Sequence, residues 1–489
     1  MMSRRSFGAM LGLAATLAAT PLAAASVTAP LPTPLERANY ERLPSTAEVN
    51  AFIRSLAASD PRARVETLGR SAGGRDLLAL RIAAAPETGK LTLMIVASQH
   101  GQEASGAEAA QAIARDLLQG PLQRILSSLN IVIVPLANPD GRDNNRRVNA
   151  ADVNLSTDFV LLTQPEARAL AGLLRRIAPD VLLDVHESSA LKKSSLGNQG
   201  YLINFQEQFD IANNPNVDPR IYAFSAEQFL PAVIADVGKR GVNASHYIGE
   251  VTNINQTVTH AGLSIRNFRN YAGMRGTVSL LLENQFDPPG QYETPRNIKV
   301  RVHKQYIGIE AVLDQAITFQ REIRTVVAEA RSPAAIKARR NIAFDWQYAA
   351  DPEHPTIRLP LRRLSTKAPF EKEFKYQPRI VARDVNPLPQ AYVLKDRRPL
   401  ITDILDRHGI RYRRLSPALR VRAPQTAVVV IDRNGKIEPQ GSEGQAPPTA
   451  GDLWVDVAQT NGLLVPLLLD PRSANSIYRY PPVSMPDQK

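Results

Sequence analysis

Four short apolar runs constrain the fold of this chain most strongly. They cover residues 91–97, 131–136, 181–185 and 278–282, and segments with helical patterns lie between them. Because polar residues rarely interrupt these runs, each is typical of a central strand that is covered on both faces. We therefore expect an α/β fold with a mixed, mostly parallel central sheet and helices on both of its faces.

Side chains that can bind a metal follow three of the four runs. His100 and Glu103 come after the first run, His186 follows the third, and Glu283 follows the fourth. Open sheets of this class place their chemistry at the carboxyl ends of the strands, so we expect these four side chains to meet at one edge. A mixed set of nitrogen and oxygen ligands suits zinc.

Together with further motifs, these residues resemble the zinc carboxypeptidase family of the carboxypeptidase A and B type, in which the same motifs occur in the same order. The resemblance covers residues 42–320. Each motif is weak by itself, but their order and spacing together are typical of the family. The motifs are the HxxE pair at 100–103, Asn-Pro-Asp-Gly at 138–141, Arg-Val-Asn at 147–149, Asp-Val-His at 184–186 and the strand that ends at Glu283.

The resemblance implies a role for each matching residue. His100, Glu103 and His186 match the ligands of one zinc ion, with a fourth position left for water. Glu283 matches the general base, and Arg147 matches the arginine that faces the developing oxyanion. The implied activity is hydrolysis of peptide bonds by a zinc-dependent metallocarboxypeptidase, with a peptide as substrate.

One departure from the family pattern affects substrate recognition. Where the family has an Asn-Arg pair that binds the terminal carboxylate of the substrate, this chain has Ser156 and Thr157. A hydroxyl cannot replace the charge and the two parallel hydrogen bonds of a guanidinium. Either another arginine binds the carboxylate, with Arg266, Arg269 and Arg275 as candidates, or the substrate has no free carboxylate there.

The family also has a tyrosine that closes over the substrate. No tyrosine stands at the family's spacing before Glu283. Tyr271, which is closer to Glu283 in the sequence, is the candidate for this role; the alternative is that its ring packs beside a strand.

Loss of the Asn-Arg pair favours an alternative, an exported zinc amidase, endopeptidase or deacylase that acts on cell-wall peptides. A second alternative is a binding protein without catalysis, against which the intact ligand positions and Glu283 argue.

The N-terminus predicts the compartment. Ser-Arg-Arg-Ser-Phe at residues 3–7 precedes an alanine-rich stretch that ends in three alanines at 23–25, which is the pattern of a twin-arginine export signal with its cleavage site. We therefore expect a periplasmic or secreted protein without a permanent membrane span. The sequence contains no cysteine, so neither a disulfide nor a thiolate metal site can form.

The chain is basic, with a formal charge of +12 and a pI near 9.8. This charge favours weak binding to anionic envelope polymers, although a dispersed basic surface explains it equally. No nucleic-acid module is recognisable in the sequence, and we expect no nucleic-acid partner.

We predict three parts along the chain: the signal at 1–25, a zinc carboxypeptidase-like catalytic domain at 26–335, and a smaller, β-rich α+β domain at 341–489 whose role the sequence does not indicate. Helical patterns cover residues 47–56, 104–118, 165–177, 222–230, 231–238, 306–330 and 400–408. Strand-like pieces at 356–361, 391–394 and 428–431 lie in the last part.

Overall fold

A computed structural model of the protein describes residues 30–188, 196–285, 297–416, 426–433, 436–443, 448–480 and 483. The predicted export signal at 1–25 lies outside these residues. Among the helices in the described ranges, none combines the length and the hydropathy that a membrane span requires.

Nine described strands precede residue 297, and eight of them form the central sheet. The order of strands across this sheet is β1-β2-β4-β3-β5-β9-β7-β8, and β6 belongs to another sheet. The nine strands are β1 (Ala63–Arg70), β2 (Asp76–Ile82), β3 (Leu91–Ala97), β4 (Leu129–Val134), β5 (Val181–Ser188), β6 (Tyr201–Ile203), β7 (Glu207–Ile211), β8 (Ala244–His246) and β9 (Val278–Gln285).

The middle of the central sheet is parallel and buried. Strands β4, β3, β5 and β9 run parallel to one another. At one side β2 is antiparallel to β4 and to β1, and at the other side β7 is antiparallel to β9 but parallel to β8. All six residues of β4 are buried, so both of its faces are covered. The predicted mixed, mostly parallel sheet is therefore confirmed, and the four apolar runs are these four strands.

Thirteen helices lie in the described residues, and two long ones, α3 and α9, pack against each other and against β5. The helices are α1 (Pro34–Arg37), α2 (Thr46–Ser59), α3 (Ala104–Gln119), α4 (Pro139–Asp143), α5 (Pro165–Ile177), α6 (Pro219–Phe224), α7 (Leu230–Lys239), α8 (Phe268–Gly273), α9 (Ile298–Thr318), α10 (Gln320–Arg331), α11 (Pro333–Ala338), α12 (Pro399–His408) and α13 (Leu464–Leu469).

The predicted helix at 306–330 is in fact two helices, α9 and α10. The chain leaves helical geometry at Phe319, whose ring packs edge-on against Phe224 and Phe229. This packing position requires a change in direction that helical periodicity does not reveal. The two short helices predicted over 222–238 form one succession of α6, a π-helical turn at Ser225–Phe229 and α7.

The C-terminal part forms several small sheets, as the sequence predicts. Strand β10 pairs with β13, β16 pairs with β17, β14 and β15 flank β18, and β11 lies between β12 and β6. The strands are β10 (Asn341–Ala349), β11 (Thr356–Arg363), β12 (Pro369–Lys375), β13 (Arg379–Pro387), β14 (Ala391–Leu394), β15 (Arg413–Arg414), β16 (Thr426–Arg433), β17 (Lys436–Glu443) and β18 (Leu453–Asp456).

This C-terminal part packs against the rest of the protein at several points. Strand β11 pairs with β6, which comes from the predicted catalytic domain. Phe344, Ile401 and Val455 are buried in the same hydrophobic cluster as the central strands. The described residues on the two sides of the predicted boundary therefore share a core.

His408, the last residue of α12, connects the C-terminal part to α8. Its Nδ1 lies 3.0 Å from the hydroxyl of Tyr271, and its Nε2 lies 2.9 Å from the carbonyl oxygen of Val160. A neutral ring satisfies both contacts, since Nε2–H donates and Nδ1 accepts. Burial lowers the pKa of His408 from 6.5 to about 3, against the hydrogen bond to Val160 and with the help of the positive charges of nearby arginines.

We predict that His408 makes the protein less stable as the pH falls. Unfolded His408 takes up a proton as the pH drops below 6.5, but the folded ring resists protonation down to about pH 3, so acid favours unfolding across this window. Urea unfolding at pH 7.5 and pH 5.0 should show a smaller loss of stability for His408→Gln than for the wild type. An equal loss of stability in the two proteins would show that His408 does not cause the pH dependence.

Candidate active site

The candidate site lies where β3, β5 and β9 end. His100 and Glu103 stand in the turn between β3 and α3, and His186 lies in the last part of β5. Glu283 is the register partner of His186 on the adjacent parallel strand. Since parallel partners project to the same face, the two side chains are neighbours on one side of the sheet.

Three of the predicted side chains form a group that can hold one metal ion. Nδ1 of His100 lies 2.6 Å from Oε1 of Glu103, and Nδ1 of His186 lies 2.9 Å from Oε2 of the same carboxylate. The two Nδ1 atoms are 3.2 Å apart, and possible ligand atoms of all three residues lie within 4.8 Å of one another. Two nitrogens bound to one tetrahedral zinc stand about 3.3 Å apart, so this donor set fits zinc.

The other ring nitrogen of each histidine lies within hydrogen-bond distance of oxygen atoms. Nε2 of His186 lies 3.2 Å from Asp184, and Nε2 of His100 lies 2.8 Å from Oγ of Ser156 and 3.1 Å from Oδ1 of Asn154. With Nδ1 as metal ligand, Nε2 would carry the proton and donate a hydrogen bond to these oxygens, which would fix the orientation of the ring.

The electrostatics keep Glu103 ionised. Burial alone would raise the pKa of Glu103, but the charges and hydrogen bonds of His100 and His186 outweigh burial and lower it. Burial lowers the pKa of His100. For His186 burial acts in the same direction, but Asp184 and Glu103 outweigh it and raise the pKa. The metal-free group thus holds a carboxylate between two imidazoles.

Glu187 links the two segments that carry the candidate ligands. Its backbone N–H donates to Oε2 of Glu103 over 3.2 Å, and its carboxylate accepts a bond from the backbone N–H of Ser105 over 2.9 Å. Nε and Nη2 of Arg301 on α9 donate to the same buried carboxylate over 2.8 and 2.7 Å. The turn after β3 and the end of β5 are therefore tied to each other and to α9.

Arg147 and Glu283 stand beside the group. Nη1 of Arg147 lies 3.2 Å from Oε1 of Glu103, while about two fifths of this side chain remains exposed (41%). Glu283 accepts a hydrogen bond from the hydroxyl of Ser188 over 2.9 Å. The site therefore combines a metal-binding group with one accessible cation and one carboxylate.

Comparison with known proteins agrees with this arrangement. Residues 49–159 match the family model described as zinc carboxypeptidase, and this range contains His100, Glu103 and Arg147. Over this range the chain is similar to zinc carboxypeptidases. The resemblance that the motifs predicted is thereby confirmed.

Curated proteins similar to this chain include two fungal proteins. “Probable carboxypeptidase 2” from Trichophyton verrucosum (strain HKI 0517) is 26% identical over 249 residues, which are 48% of this chain and 48% of that protein. “Carboxypeptidase 2” from Trichophyton rubrum is 24% identical over 248 residues, 48% of this chain and 46% of that protein. The chain therefore spans about half the length of the curated relatives that it matches.

Solved structures with a similar fold include two bacterial proteins. A metallo-carboxypeptidase from Burkholderia cenocepacia has a TM-score of 0.46 and 20% identity, over 57% of this chain and 71% of that chain. A metallo-carboxypeptidase from Pseudomonas aeruginosa, in complex with (2-guanidinoethylmercapto)succinic acid, has a TM-score of 0.44 and 22% identity, over 58% of this chain and 71% of that chain.

Ser156 contacts a candidate metal ligand. Its hydroxyl is bonded to His100 and also donates to Oδ1 of Asn154 over 2.9 Å. The hydroxyl of Thr157 donates to the carbonyl oxygen of Asn154 over 3.1 Å. Both residues stand at the positions of the family's substrate-binding pair and were candidates for substrate binding, but in this structure their hydroxyls bond within the protein.

Tyr271 does not lie where a substrate would meet it. The ring is fully buried, and its hydroxyl bonds to His408 and accepts a bond from Nη2 of Arg275 over 2.6 Å. The sequence predicted that Tyr271 lies close to the substrate, and its burial in the core corrects this prediction. The alternative that we gave, a ring packed beside a strand, describes what the structure shows.

Arg269 is also buried, with 3% of its surface exposed. Its Nη2 donates to Oδ1 of Asn213 and to the carbonyl oxygen of Gly262 over 3.2 and 3.1 Å. Its positive charge acts on Asp210, where burial raises the pKa but is outweighed by Arg269 and by His246, so that the pKa falls to about 2. A guanidinium with these partners is not presented to solvent at the candidate site.

The sequence analysis missed Tyr247, which follows β8. Burial raises the pKa of its hydroxyl, and the negative charge of Glu283 raises it further. No spacing rule identifies Tyr247, because an irregular segment separates it from the strand that carries Glu283. The signal that could have found it is a tyrosine directly after a short strand.

We predict that Ser156→Ala weakens metal binding. Loss of the hydroxyl leaves Nε2 of His100 with Asn154 as its remaining protein partner among the described contacts, and loss of such a partner costs about tenfold or more in metal affinity. Competition with a zinc-binding dye measures the affinity. Thr157→Val is the matched control, since the Thr157 hydroxyl does not contact a histidine. Equal affinity of Ser156→Ala and the wild type would contradict this role.

Proposed function

We propose that this protein is a zinc-dependent hydrolase of the carboxypeptidase type that cleaves peptide bonds. The observation that supports it most is the position of Glu283 as register neighbour of His186, beside three side chains that can bind one metal. A carboxylate at this position supports the role of a general base for a metal-activated water.

Each of these residues has a distinct role in the proposed reaction. His100, Glu103 and His186 hold zinc, which when bound supplies an activated water and polarises the carbonyl of the substrate. Glu283 accepts the proton of the attacking water and then passes it to the leaving amine. The bond from Ser188 orients the carboxylate of Glu283 for this task.

Arg147 is proposed to stabilise the negative charge that develops on the carbonyl oxygen. It is a permanent cation, and it remains partly exposed next to Glu103. A fixed positive charge at this position acts more strongly on the transition state than on the ground state.

The alternative of an amidase, endopeptidase or deacylase on cell-wall peptides remains a second proposal. The hydroxyls of Ser156 and Thr157 bond within the protein, and Arg269 is buried with partners of its own. Of the three candidate arginines Arg266 is exposed, but Arg275, like Arg269, bonds within the protein. This favours a substrate whose carboxylate is absent or lies elsewhere. A binding protein without catalysis is a third reading, which Glu283 beside the metal-binding group argues against.

We predict that wild-type protein loaded with zinc hydrolyses peptides and that Glu283→Gln retains zinc but loses about 10²- to 10⁴-fold in kcat. Each peptide is supplied with a free and with an amidated C-terminus, and released amines and fragments are measured. The matched control is Glu227→Gln, which removes an exposed carboxylate from the π-helical turn before α7.

The pair of peptides separates the three readings. Cleavage that requires a free carboxylate supports the carboxypeptidase, whereas equal cleavage of both forms supports the amidase or endopeptidase. Zinc binding without turnover of any peptide leaves the binding protein. Substantial activity of Glu283→Gln would remove Glu283 from the role of general base.

We also propose export by the twin-arginine route, with residues 26–335 as the catalytic domain and 341–489 as the trailing domain. The arginine pair and the alanine-rich stretch after it support this proposal. Replacement of Arg4 and Arg5 by lysine should leave the precursor in the cytoplasm, as cell fractionation would show, and normal export would contradict it. Weak binding to anionic envelope polymers would appear as salt-sensitive retention on such a polymer.

A further inference from the structure

The segment between β8 and α8, which we call the site loop (residues 247–267), begins at the end of β8, which one strand, β7, separates from the strand of Glu283. It begins with Tyr247, whose backbone N–H donates to the carbonyl oxygen of Phe209 over 2.7 Å. Phe209 is in turn the register partner of Leu282, the residue before Glu283. The start of the site loop is therefore connected through one strand to the proposed general base.

The site loop has little regular structure of its own. Residues 247–267 contain no helix and no strand, apart from a single bridge at Val258. A segment of this length loses a large amount of conformational entropy when it becomes ordered. Its position must therefore depend on contacts with other parts of the protein.

The C-terminal part supplies many of these contacts. The backbone N–H of Val258 donates to the carbonyl oxygen of Lys375 over 2.8 Å, and the N–H of Gln377 donates to the carbonyl oxygen of Val258 over 2.9 Å. The hydroxyl of Tyr348 donates to the carbonyl oxygen of Ala261 over 2.6 Å. These bonds join β10 and the end of the β11–β12 hairpin to the site loop.

A second hydrophobic cluster, separate from the main core, joins the same elements. Its buried members combine residues of the site loop and of the segment before β6 with residues of β11 and β12. They are Leu196, Ile248, Val251, Val258, Leu359, Leu361 and Phe374. Because both parts of the chain contribute to it, this cluster can form only when the C-terminal part is docked.

One chain of hydrogen bonds leads from the C-terminal part to Tyr247. The hydroxyl of Tyr376 lies 2.6 Å from Nε2 of His260, and Nδ1 of His260 lies 2.7 Å from the carbonyl oxygen of Tyr247. A carbonyl can only accept, so Nδ1 carries the proton and Nε2 accepts from Tyr376. Burial, together with the neighbouring His246, lowers the pKa of His260 and agrees with this neutral ring.

We propose that Tyr376 is a positioning residue of the candidate site, which fixes His260 and through it the backbone at Tyr247, so that the C-terminal part completes the substrate-binding side of the site. This inference rests on the proposed hydrolase function for its kinetic readout. The geometric part stands on the hydrogen bonds and the second hydrophobic cluster alone.

The test uses Tyr376→Phe in the full chain, which keeps the ring in the protein and removes the hydroxyl. Hydrogen exchange of the site loop should become about five- to tenfold faster, as expected for loss of one buried hydrogen bond. The affinity for a peptide should fall by a similar factor and KM should rise, while zinc content and kcat change little. Peptide affinity is measured by calorimetry, so this readout does not require turnover.

Two further variants make the result specific. Tyr392→Phe removes a hydroxyl from the same part of the chain, but that hydroxyl contacts Asp470, and we expect wild-type exchange in the site loop. His260→Ala should reproduce the effect of Tyr376→Phe, and the double variant should be no worse than His260→Ala, because the two act in series.

The outcomes separate this inference from the proposed function. Unchanged exchange of the site loop in Tyr376→Phe would overturn the inference, and so would faster exchange with unchanged peptide affinity, since the contact would then be structural only. If the wild type binds zinc and peptide but cleaves none, the proposed hydrolase fails, while exchange and affinity still decide the role of Tyr376. Additive effects in the double variant would show that Tyr376 does not act through His260.

Discussion

The buried carboxylate of Glu103 is the group on which the site depends. A charge this deeply buried is costly unless other groups compensate it. Here the imidazoles of His100 and His186 and the guanidinium of Arg147 surround it. Because these partners come from separate segments, the ionised carboxylate links the segments that carry the candidate ligands. The same oxygens and nitrogens then form a ready donor set for zinc.

The sheet makes this meeting of segments possible. Strands β3, β5 and β9 end at the same edge, and the register of β5 with β9 sets Glu283 beside His186. Arg301 on α9 donates two hydrogen bonds to the carboxylate of Glu187 at the end of β5. The candidate ligands therefore lie on rigid elements. The site loop differs, since its order comes from the second hydrophobic cluster and from the C-terminal part.

Several features were predictable because they depend on local patterns. Helix α5 begins at Pro165 and ends at Ile177, as its proline and its apolar periodicity predict. Helix α12 ends before Gly409, which adopts the left-handed conformation at φ 67°. In contrast, the break between α9 and α10 depends on where the ring of Phe319 packs. No local pattern contains that information.

By itself the sequence determined which strands are central and which residues can bind the metal, because buried parallel strands and ligand residues leave signatures in short stretches of chain. Only the tertiary structure decided what Ser156, Tyr271 and Tyr247 contact. Ser156 bonds to His100, Tyr271 lies in the core, and the backbone N–H of Tyr247 bonds to Phe209. Such contacts join residues that are distant in the chain, and their geometry depends on how whole elements pack.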